Sequence, residues 1–125
     1  MTHDVAIPDP SEIADLATRQ LDAYNRFDLD AFCACYHDDV VVYDGEKVVF
    51  RGIEAFRDKY AGMFGTRSYG ATVDARVATG EHIVERESYW KVDPETQART
   101  EGRLLVRYTA REGKIAVVQF LRCED

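Results

Sequence analysis

Apolar residues in the first half of the chain recur at spacings of three and four, whereas those in the second half alternate with polar residues. The first spacing marks one face of an α-helix, and the alternation marks a β-strand. The period changes near residue 67. The pattern therefore predicts an α+β fold in which a helical first half packs on a sheet formed mainly by the second half.

The first helix has a clear start signal, because Asp9 can cap it, Pro10 suits its first turn and Glu12 follows three residues after the cap. One polar residue, Gln20, interrupts its apolar stripe. We favour a position of Gln20 at the edge of the stripe, because polar residues are mostly exposed. The alternative is that Gln20 supplies a hydrogen-bonding group to the floor of a pocket. The stripe consists of Ile13, Leu16, Ala17, Gln20, Leu21, Tyr24 and Phe27.

Two further helices are predicted before residue 67. Asp28 can cap a short helix, and Gly65 suits a left-handed residue that ends a longer one. Aromatic residues at helical spacing form a core or wall a pocket, and the sequence leaves both readings open. The inner faces are Leu29, Phe32, Cys33 and Tyr36 in the short helix, and Ile53, Phe56, Tyr60, Met63 and Phe64 in the longer one.

Two short strands separate these helices, at about residues 40–44 and 48–50. Four long strands follow the helices, at about residues 67–79, 81–92, 99–110 and 114–123. The turns between the long strands are short and rich in Gly, Pro and Asp, so the strands are expected to form an antiparallel meander.

The last hairpin has two plausible registers. A two-residue turn would place Leu105 opposite Phe120. A three-residue turn with a glycine bulge would place Leu104 opposite Phe120 instead. It would also place Val106 opposite Val118. We favour the three-residue turn because it separates apolar from charged residues better, and a slip of one residue would exchange the two faces.

The three helices each have one apolar face and are expected to cover one side of a strongly curved sheet. The result would be a two-layer, cone-shaped fold. The other side of the sheet would stay partly uncovered, and such an apolar surface indicates association. We therefore expect a homodimer through this outer face, which is predicted to carry Ile83, Tyr89, Leu105, Val117 and Leu121.

At 125 residues the chain is expected to form one domain over residues 11–125, preceded by a tail and helix cap at residues 1–10. The net charge of −7 argues against a nucleic-acid partner or an anionic membrane, since both bind basic surfaces. No apolar run reaches the length of a membrane span, and the N-terminus lacks the pattern of a signal peptide. The cytoplasm is the expected location.

The cysteines and histidines predict neither a disulfide framework nor a metal site. Cys33, Cys35 and Cys123 are an odd set without a CxxC spacing, which is typical of reduced, packed thiols. His37 lies beside two aspartates, but consecutive residues in a turn rarely converge on one ion. No metal is expected.

Asp44 is the candidate for acid/base chemistry. It shares its strand face with Val40 and Val42, so it closes a row of valines. If that row faces the interior, Asp44 lies in an apolar setting, where a carboxyl group has a raised pKa and can move a proton near neutral pH.

The order of the elements and four sequence pieces resemble the nuclear transport factor 2-like superfamily, in particular its SnoaL-like and ketosteroid isomerase-related members. The resemblance extends over residues 11–122. It implies the α+β fold, but it does not fix the function, because the superfamily contains isomerases, cyclases, dehydratases and non-catalytic binding domains. The pieces are YNRFDLDAF, YHDDVVVYD, FRGIEAFRDKY and REGKIAVVQFL.

The resemblance also suggests roles for individual positions. Asp44 stands where ketosteroid isomerase has its general base, and Gln20 stands where that enzyme has an oxyanion-binding Tyr. The protonated Asp of its oxyanion hole would fall near Leu104 or Leu105 and is therefore absent. Since oxyanion donors contribute much of the catalysis, steroid isomerisation is disfavoured, and a gentler proton transfer is the expectation.

Three functional hypotheses remain. In the first, Asp44 is the general acid/base of a cofactor-free enzyme that acts on a small, apolar carbonyl compound. In the second, the cavity only binds an apolar ligand or supports dimerisation, and Asp44 forms a structural ion pair with Arg51, Arg86, Arg103 or Arg122. In the third, aromatic side chains fill the cavity. The expected ligand-binding residues are Gln20, Tyr24, Phe56, Tyr60, Trp90, Val118 and Phe120.

Overall fold

The computed structural model describes residues 9–121, which form three helices and one six-stranded sheet. The residues predicted as a loose tail before Asp9, together with Arg122 and Cys123, lie outside this range. The helices are Pro10–Asn25 (α1), Leu29–Cys33 (α2) and Ile53–Thr66 (α3). The strands are Tyr36–Asp44 (β1), Lys47–Arg51 (β2), Tyr69–Thr79 (β3), His82–Val92 (β4), Arg99–Arg111 (β5) and Lys114–Leu121 (β6). The predicted α+β class is confirmed.

The sheet is open and mostly antiparallel, with the strand order β2-β1-β6-β5-β4-β3. Strands β3 to β6 form the predicted meander, and β1 joins it by pairing parallel to β6. Strands β2 and β3 are therefore the two edges. The predicted cone shape stays a prediction.

The start signals of the first two helices act as predicted, whereas two predicted ends are wrong. Asp9 accepts a hydrogen bond from the Ser11 N–H at 2.9 Å, and Asp28 caps α2. Helix α3 continues past Gly65 to Thr66, whose hydroxyl donates to the Met63 carbonyl and so satisfies part of the last turn. The left-handed residue is Arg67, with a φ of 51°. Tyr36, predicted in the second helix, instead begins β1.

The core is an aromatic cluster that joins all three helices to the sheet. The ring of Phe32 lies at its centre, with five other aromatic rings at centroid distances between 5.0 and 6.0 Å. Those rings belong to Tyr24, Tyr36, Phe56, Tyr60 and Phe64. Because aromatic residues bury large areas, this cluster is the main source of apolar burial between the two layers.

A bulge in β3 changes which of its side chains face the helices. The pairing with β4 shifts between Val73 and Ala75, so Arg76 comes to lie opposite Glu85. Regular alternation would place Tyr69, Ala71, Val73, Ala75 and Val77 on one face, but the bulge moves Ala75 and Val77 to the other. A bulge inserts one extra residue and reverses the alternation after it, which leaves Val77 73% exposed.

The predicted outer face is wrong for two residues of β4. Ile83 has no exposed surface, and Tyr89 lines the cavity described below. The inner row of β4 therefore comprises Ile83, Glu85, Glu87 and Tyr89. Leu105, Val117 and Leu121 are half-buried.

The hairpin of β5 and β6 has neither predicted register. Arg111 pairs with Lys114 across a two-residue turn, and a bulge before Ala110 then shifts the pairing. Phe120 consequently lies opposite Val106 rather than Leu104 or Leu105. The shift from the favoured register is by two residues, so the predicted division into inner and outer faces is preserved.

We predict opposite stability effects for two buried tyrosines. Within the described residues the Tyr69 hydroxyl has no hydrogen-bond partner, whereas the Tyr36 hydroxyl donates to Gln20 Oε1 at 2.6 Å. Tyr69→Phe removes an unsatisfied polar group and should raise the free energy of unfolding by up to about 1 kcal/mol. Tyr36→Phe should lower it by about 1–2 kcal/mol, because Gln20 loses a donor. Urea denaturation of both variants measures these changes, and equal effects would contradict the assignment.

Candidate functional site

A cavity of about 220 Å³ lies between the helices and the inner face of the sheet. The lining consists of residues from α1, α2, α3, β1 and β3 to β6, most of them aromatic or aliphatic. Six of the eight predicted site residues line it: Gln20, Tyr24, Tyr60, Trp90, Val118 and Phe120. The existence of this cavity argues against the hypothesis that aromatic side chains fill the space completely.

The other two predicted residues lie elsewhere. Phe56 is 1% exposed and belongs to the aromatic core. Asp44 ends the row of buried valines as predicted, but the β1–β2 turn begins there and Asp44 is exposed. It lines a neighbouring depression, which shares Tyr60, Met63 and Phe120 with the cavity. The expected interior position of Asp44 is therefore wrong, and its catalytic role stays a prediction.

Trp90 is held by its neighbours in β3 and β5. Its indole covers Gly70 so closely that a Cβ atom there would lie 2.6 Å from Nε1. The guanidinium of Arg99 lies 4.8 Å from the centre of the indole ring. The predicted stacking of Trp90 on a ligand stays a prediction.

The buried polar side chains of the described residues all belong to one network at the cavity. Gln20 is 3% exposed, Glu85 is 0% exposed and Glu87 is 6% exposed. Because buried polar groups are costly unless they are paired, their clustering indicates a built arrangement.

Glu85 and Glu87 follow each other on the inner row of β4 and differ in their charge compensation. The Arg76 guanidinium forms an ion pair with Glu85, with Nη2 and Oε2 2.6 Å apart. Arg76 also donates to the Thr18 hydroxyl at 3.0 Å, so the ion pair links β3 to α1. Within the described residues the second carboxylate oxygen of Glu85, Oε1, has no hydrogen-bond partner.

Glu87 lines the cavity and has an unusually high pKa. Burial raises the pKa of its carboxyl to about 8, and hydrogen bonding to Glu85 together with the negative charge of Glu85 adds to the rise. The hydrogen bond from Tyr108 and the charge of Arg76 oppose it. Glu87 is therefore mostly protonated at pH 7 and titrates close to neutrality.

A chain of hydrogen bonds leads from the helices to Glu87. The Tyr36 hydroxyl donates to Gln20 Oε1 at 2.6 Å, and Gln20 Nε2 donates to the Tyr108 hydroxyl oxygen at 3.3 Å. The Tyr108 hydroxyl then donates to Glu87 Oε2 at 3.4 Å. Gln20 thus lines the cavity, so its favoured position at the edge of the stripe is wrong, and the pocket-floor alternative agrees with the structure.

The tyrosines around Glu87 remain hydrogen-bond donors at neutral pH. Burial raises the pKa of Tyr24, Tyr36, Tyr60 and Tyr108, and the charge of Glu87 adds to each rise. Within the described residues the Tyr60 hydroxyl makes no hydrogen bond, although Tyr60 lines the cavity. Its O–H group is therefore available to a ligand.

The residues that the sequence interpretation missed are Arg76, Glu85, Glu87 and Tyr108. Both faces of β4 carry charges, so alternation did not show which one is buried. The bulge that turns Arg76 inward has no clear sequence signal. The sequence does contain one indication of this buried carboxyl pair, namely two glutamates that are two residues apart and therefore share one face of a strand.

Comparison with known proteins agrees with the fold described above. The pattern of the SnoaL-like domain matches residues 17–118. The chain belongs to the SnoaL-like domain family. Its fold is the nuclear transport factor 2-like fold. No curated protein matches the chain.

Solved structures of low sequence identity have the same fold as this SnoaL-like domain. A proposed polyketide cyclase from Pseudomonas putida is 20% identical, with a TM-score of 0.70 and coverage of 89% of this chain and 91% of that one. A LEH-like epoxide hydrolase from Mycobacterium tuberculosis is 18% identical, with a TM-score of 0.76 and coverage of 90% and 84%. A third, from the same organism in complex with estradiol-17beta-hemisuccinate, is 14% identical, with a TM-score of 0.78 and coverage of 90% and 94%.

Two further observations concern membrane-spanning helices and groups of metal-binding side chains. None of the helices within residues 9–121 is long and apolar enough to cross a membrane. The same residues contain no group of three or more His, Cys, Asp or Glu side chains that could hold a metal ion.

The raised pKa of Glu87 predicts a pH-dependent stability. The unfolded chain loses this proton near pH 4.5 and the folded protein near pH 8, so the folded state holds more protons between these values. The free energy of unfolding should therefore fall as the pH rises from 4.5 to 8. Its slope should correspond to about one proton more on Glu87 in the folded state than in the unfolded state. Glu87→Gln should remove this contribution, as measured by urea unfolding at intervals from pH 5 to 8.

The matched control for this experiment is Glu46→Gln, which changes an exposed glutamate in the β1–β2 turn. This variant should keep the pH slope of the wild-type protein. The same slope in Glu87→Gln and wild type would show that the Glu87 carboxyl is not protonated in the folded protein at neutral pH.

Proposed function

We propose that this SnoaL-like protein is an enzyme that uses Glu87 as a general acid/base on a small, largely apolar carbonyl compound bound in the cavity. The observation that carries the proposal is a buried carboxyl group that lines an apolar cavity and titrates near neutral pH. A general base is most effective when its pKa lies near the working pH. Groups with such perturbed pKa values are concentrated at functional sites.

The size and charge of the cavity support a small, neutral ligand. An apolar cavity of about 150 Å³ accommodates benzene. The cavity of about 220 Å³ in this protein therefore suits a compound with one ring and a few substituents. An anion would be disfavoured because the carboxyl group of Glu85 neighbours that of Glu87 on the inner row of β4.

The proposed reaction is proton transfer at the carbon next to the carbonyl group. The ionised Glu87 carboxylate takes a proton from this carbon, and the electron pair of the broken C–H bond moves to the carbonyl oxygen to give an enolate. The free hydroxyl of Tyr60 donates a hydrogen bond to that oxygen. Glu87 then returns the proton to the same or another carbon, so the step needs no cofactor.

The placement of Asp44 supports Glu87 as the better candidate. Asp44 is exposed, whereas Glu87 is 6% exposed and lines the cavity. Desolvation is what makes a carboxylate a strong base near neutral pH. The named activities of the neighbours, a proposed polyketide cyclase and an epoxide hydrolase, both concern small molecules and are consistent with this class of site.

We predict that the protein exchanges the α-protons of cyclohexanone for deuterium in D₂O, as followed by the loss of the α-proton signal in ¹H NMR. The rate should rise with pH as Glu87 ionises, with a midpoint near 8. Glu87→Gln should slow the exchange by about 10²-fold or more, since it removes the general base. Asp44→Asn is the matched control and should retain the wild-type rate.

The reverse pattern, with exchange lost in Asp44→Asn and kept in Glu87→Gln, would transfer the role of general base to Asp44. Binding of cyclohexanone without any exchange would support the second hypothesis, a ligand-binding domain without catalysis. The cavity itself is the observation that favours this alternative.

The expected homodimer through the outer sheet face is a further part of the proposal. Its support is the half-buried apolar row of Leu105, Val117 and Leu121. Analytical ultracentrifugation should show a dimer for the wild type and a monomer for Leu105→Glu, because a buried charge would oppose the contact. A wild-type monomer at high micromolar concentration would contradict the expectation.

A further inference from the structure

We infer that Gln20 is a positioning residue for Glu87, because its amide group fixes the direction in which the Tyr108 hydroxyl donates. This inference rests on the proposed role of Glu87 as the general acid/base. It concerns how the carboxyl group is oriented and tuned, and it assigns a function to a buried amide that does not itself exchange protons with a substrate.

The orientation of the Gln20 amide is fixed by a backbone carbonyl. Gln20 Nε2 lies 3.1 Å from the Ala17 carbonyl oxygen, which can only accept a hydrogen bond. The NH₂ group must therefore face Ala17, and Oε1 must face the other way. Oε1 accepts from the Tyr36 hydroxyl at 2.6 Å, which agrees with this orientation. Both ends of the amide are thus held in a position that is 3% exposed.

This orientation determines the role of the Tyr108 hydroxyl. The second N–H of Gln20 Nε2 donates to the Tyr108 oxygen at 3.3 Å. That contact uses the hydroxyl as an acceptor, so its own proton has to point elsewhere. Glu87 Oε2 is the acceptor, at 3.4 Å. Every donor in the chain from Tyr36 to Glu87 therefore points towards the carboxyl group.

The two carboxyl oxygens of Glu87 therefore have different roles. Oε2 accepts the Tyr108 hydrogen bond whether Glu87 is protonated or ionised, so the acid proton belongs on Oε1. A hydrogen bond from Tyr108 also favours the ionised form and opposes the effect of burial and of Glu85 on the pKa. The chain therefore increases the fraction of Glu87 that is a carboxylate, and hence a base, at neutral pH.

The other ionisable groups that face Glu87 do not replace this donor. They come from every element packed around it: Tyr24 on α1, Tyr36 on β1, Tyr60 on α3, Arg76 on β3, Glu85 on β4 and Tyr108 on β5. Within the described residues, Tyr108 is the side chain that donates a hydrogen bond to a Glu87 oxygen in the folded structure. The direction of that bond depends on Gln20.

The test is an NMR titration of the ¹³Cδ resonance of Glu87 in the full-length protein, assigned with Glu87→Gln. Tyr108→Phe should raise the pKa of Glu87 by about one unit, because the carboxylate loses a donor. Gln20→Met should raise it in the same direction by a smaller amount, because Tyr108 becomes a weaker and less directed donor. Tyr69→Phe is the matched control: it removes a buried hydroxyl without a hydrogen-bond partner and should leave the pKa unchanged.

A double-mutant cycle separates positioning from general structural support. If Gln20 acts through Tyr108, adding Gln20→Met to Tyr108→Phe should produce no further shift in the pKa of Glu87. A purely structural effect of Gln20→Met would add to that of Tyr108→Phe. Should Gln20→Met not fold, Gln20→Asn keeps the amide but withdraws it from Tyr108, and the same rise in pKa is expected.

Failure of this inference is distinct from failure of the proposed function. A wild-type Glu87 that titrates near 4.5 would overturn the role of Glu87 itself. A wild-type pKa near 8 that is unchanged in both Gln20 variants would leave Glu87 as the general base and overturn only the positioning role of Gln20.

Discussion

The burial of two carboxyl groups side by side on β4 is the constraint on which the rest of the site depends. Two adjacent carboxylates cannot both stay ionised out of water, because desolvation and mutual repulsion are each costly. The protein resolves this conflict asymmetrically. Glu85 forms an ion pair with Arg76, whereas burial raises the pKa of Glu87, which keeps its proton at neutral pH. Glu87, the proposed acid/base, is the one of the two that forms no ion pair within the described residues.

This asymmetry needs specific features of the backbone. Without the bulge between Val73 and Ala75, Arg76 would lie on the outer face and Glu85 would be an unpaired buried charge. The contact of Arg76 with Thr18 then ties the ion pair to α1, the helix that also carries Gln20. The same helix therefore supports both carboxyl groups, one through a cation and the other through a chain of neutral donors. The packing of α1 on the sheet therefore affects both carboxyl groups, although burial remains the main cause of the raised pKa of Glu87.

The sequence predicted what local patterns determine and missed what long-range pairing determines. The caps at Asp9 and Asp28, the helical stripes and the four long strands follow from local spacing. The burial of Gln20 does not, because a polar residue on an apolar stripe is mostly found at its edge. Asp44 was predicted from the same local alternation, but whether the end of a strand is covered depends on distant elements. The inward position of Glu87 depends in addition on bulges in neighbouring strands, and a bulge reverses every side chain beyond it.

The direction of the hydrogen-bond chain also bears on the kind of substrate that suits the proposed reaction. In the resemblance to ketosteroid isomerase, the position of Gln20 belongs to a tyrosine that serves the substrate oxygen. Here the donors from Tyr36 to Tyr108 are directed at the protein's own carboxyl group. They stabilise the base and leave mainly Tyr60 for an enolate oxygen, so oxyanion stabilisation is weaker. A base that is tuned in this way, with few donors for the oxyanion, suits compounds whose α-protons are already acidic, such as those flanked by two carbonyl groups.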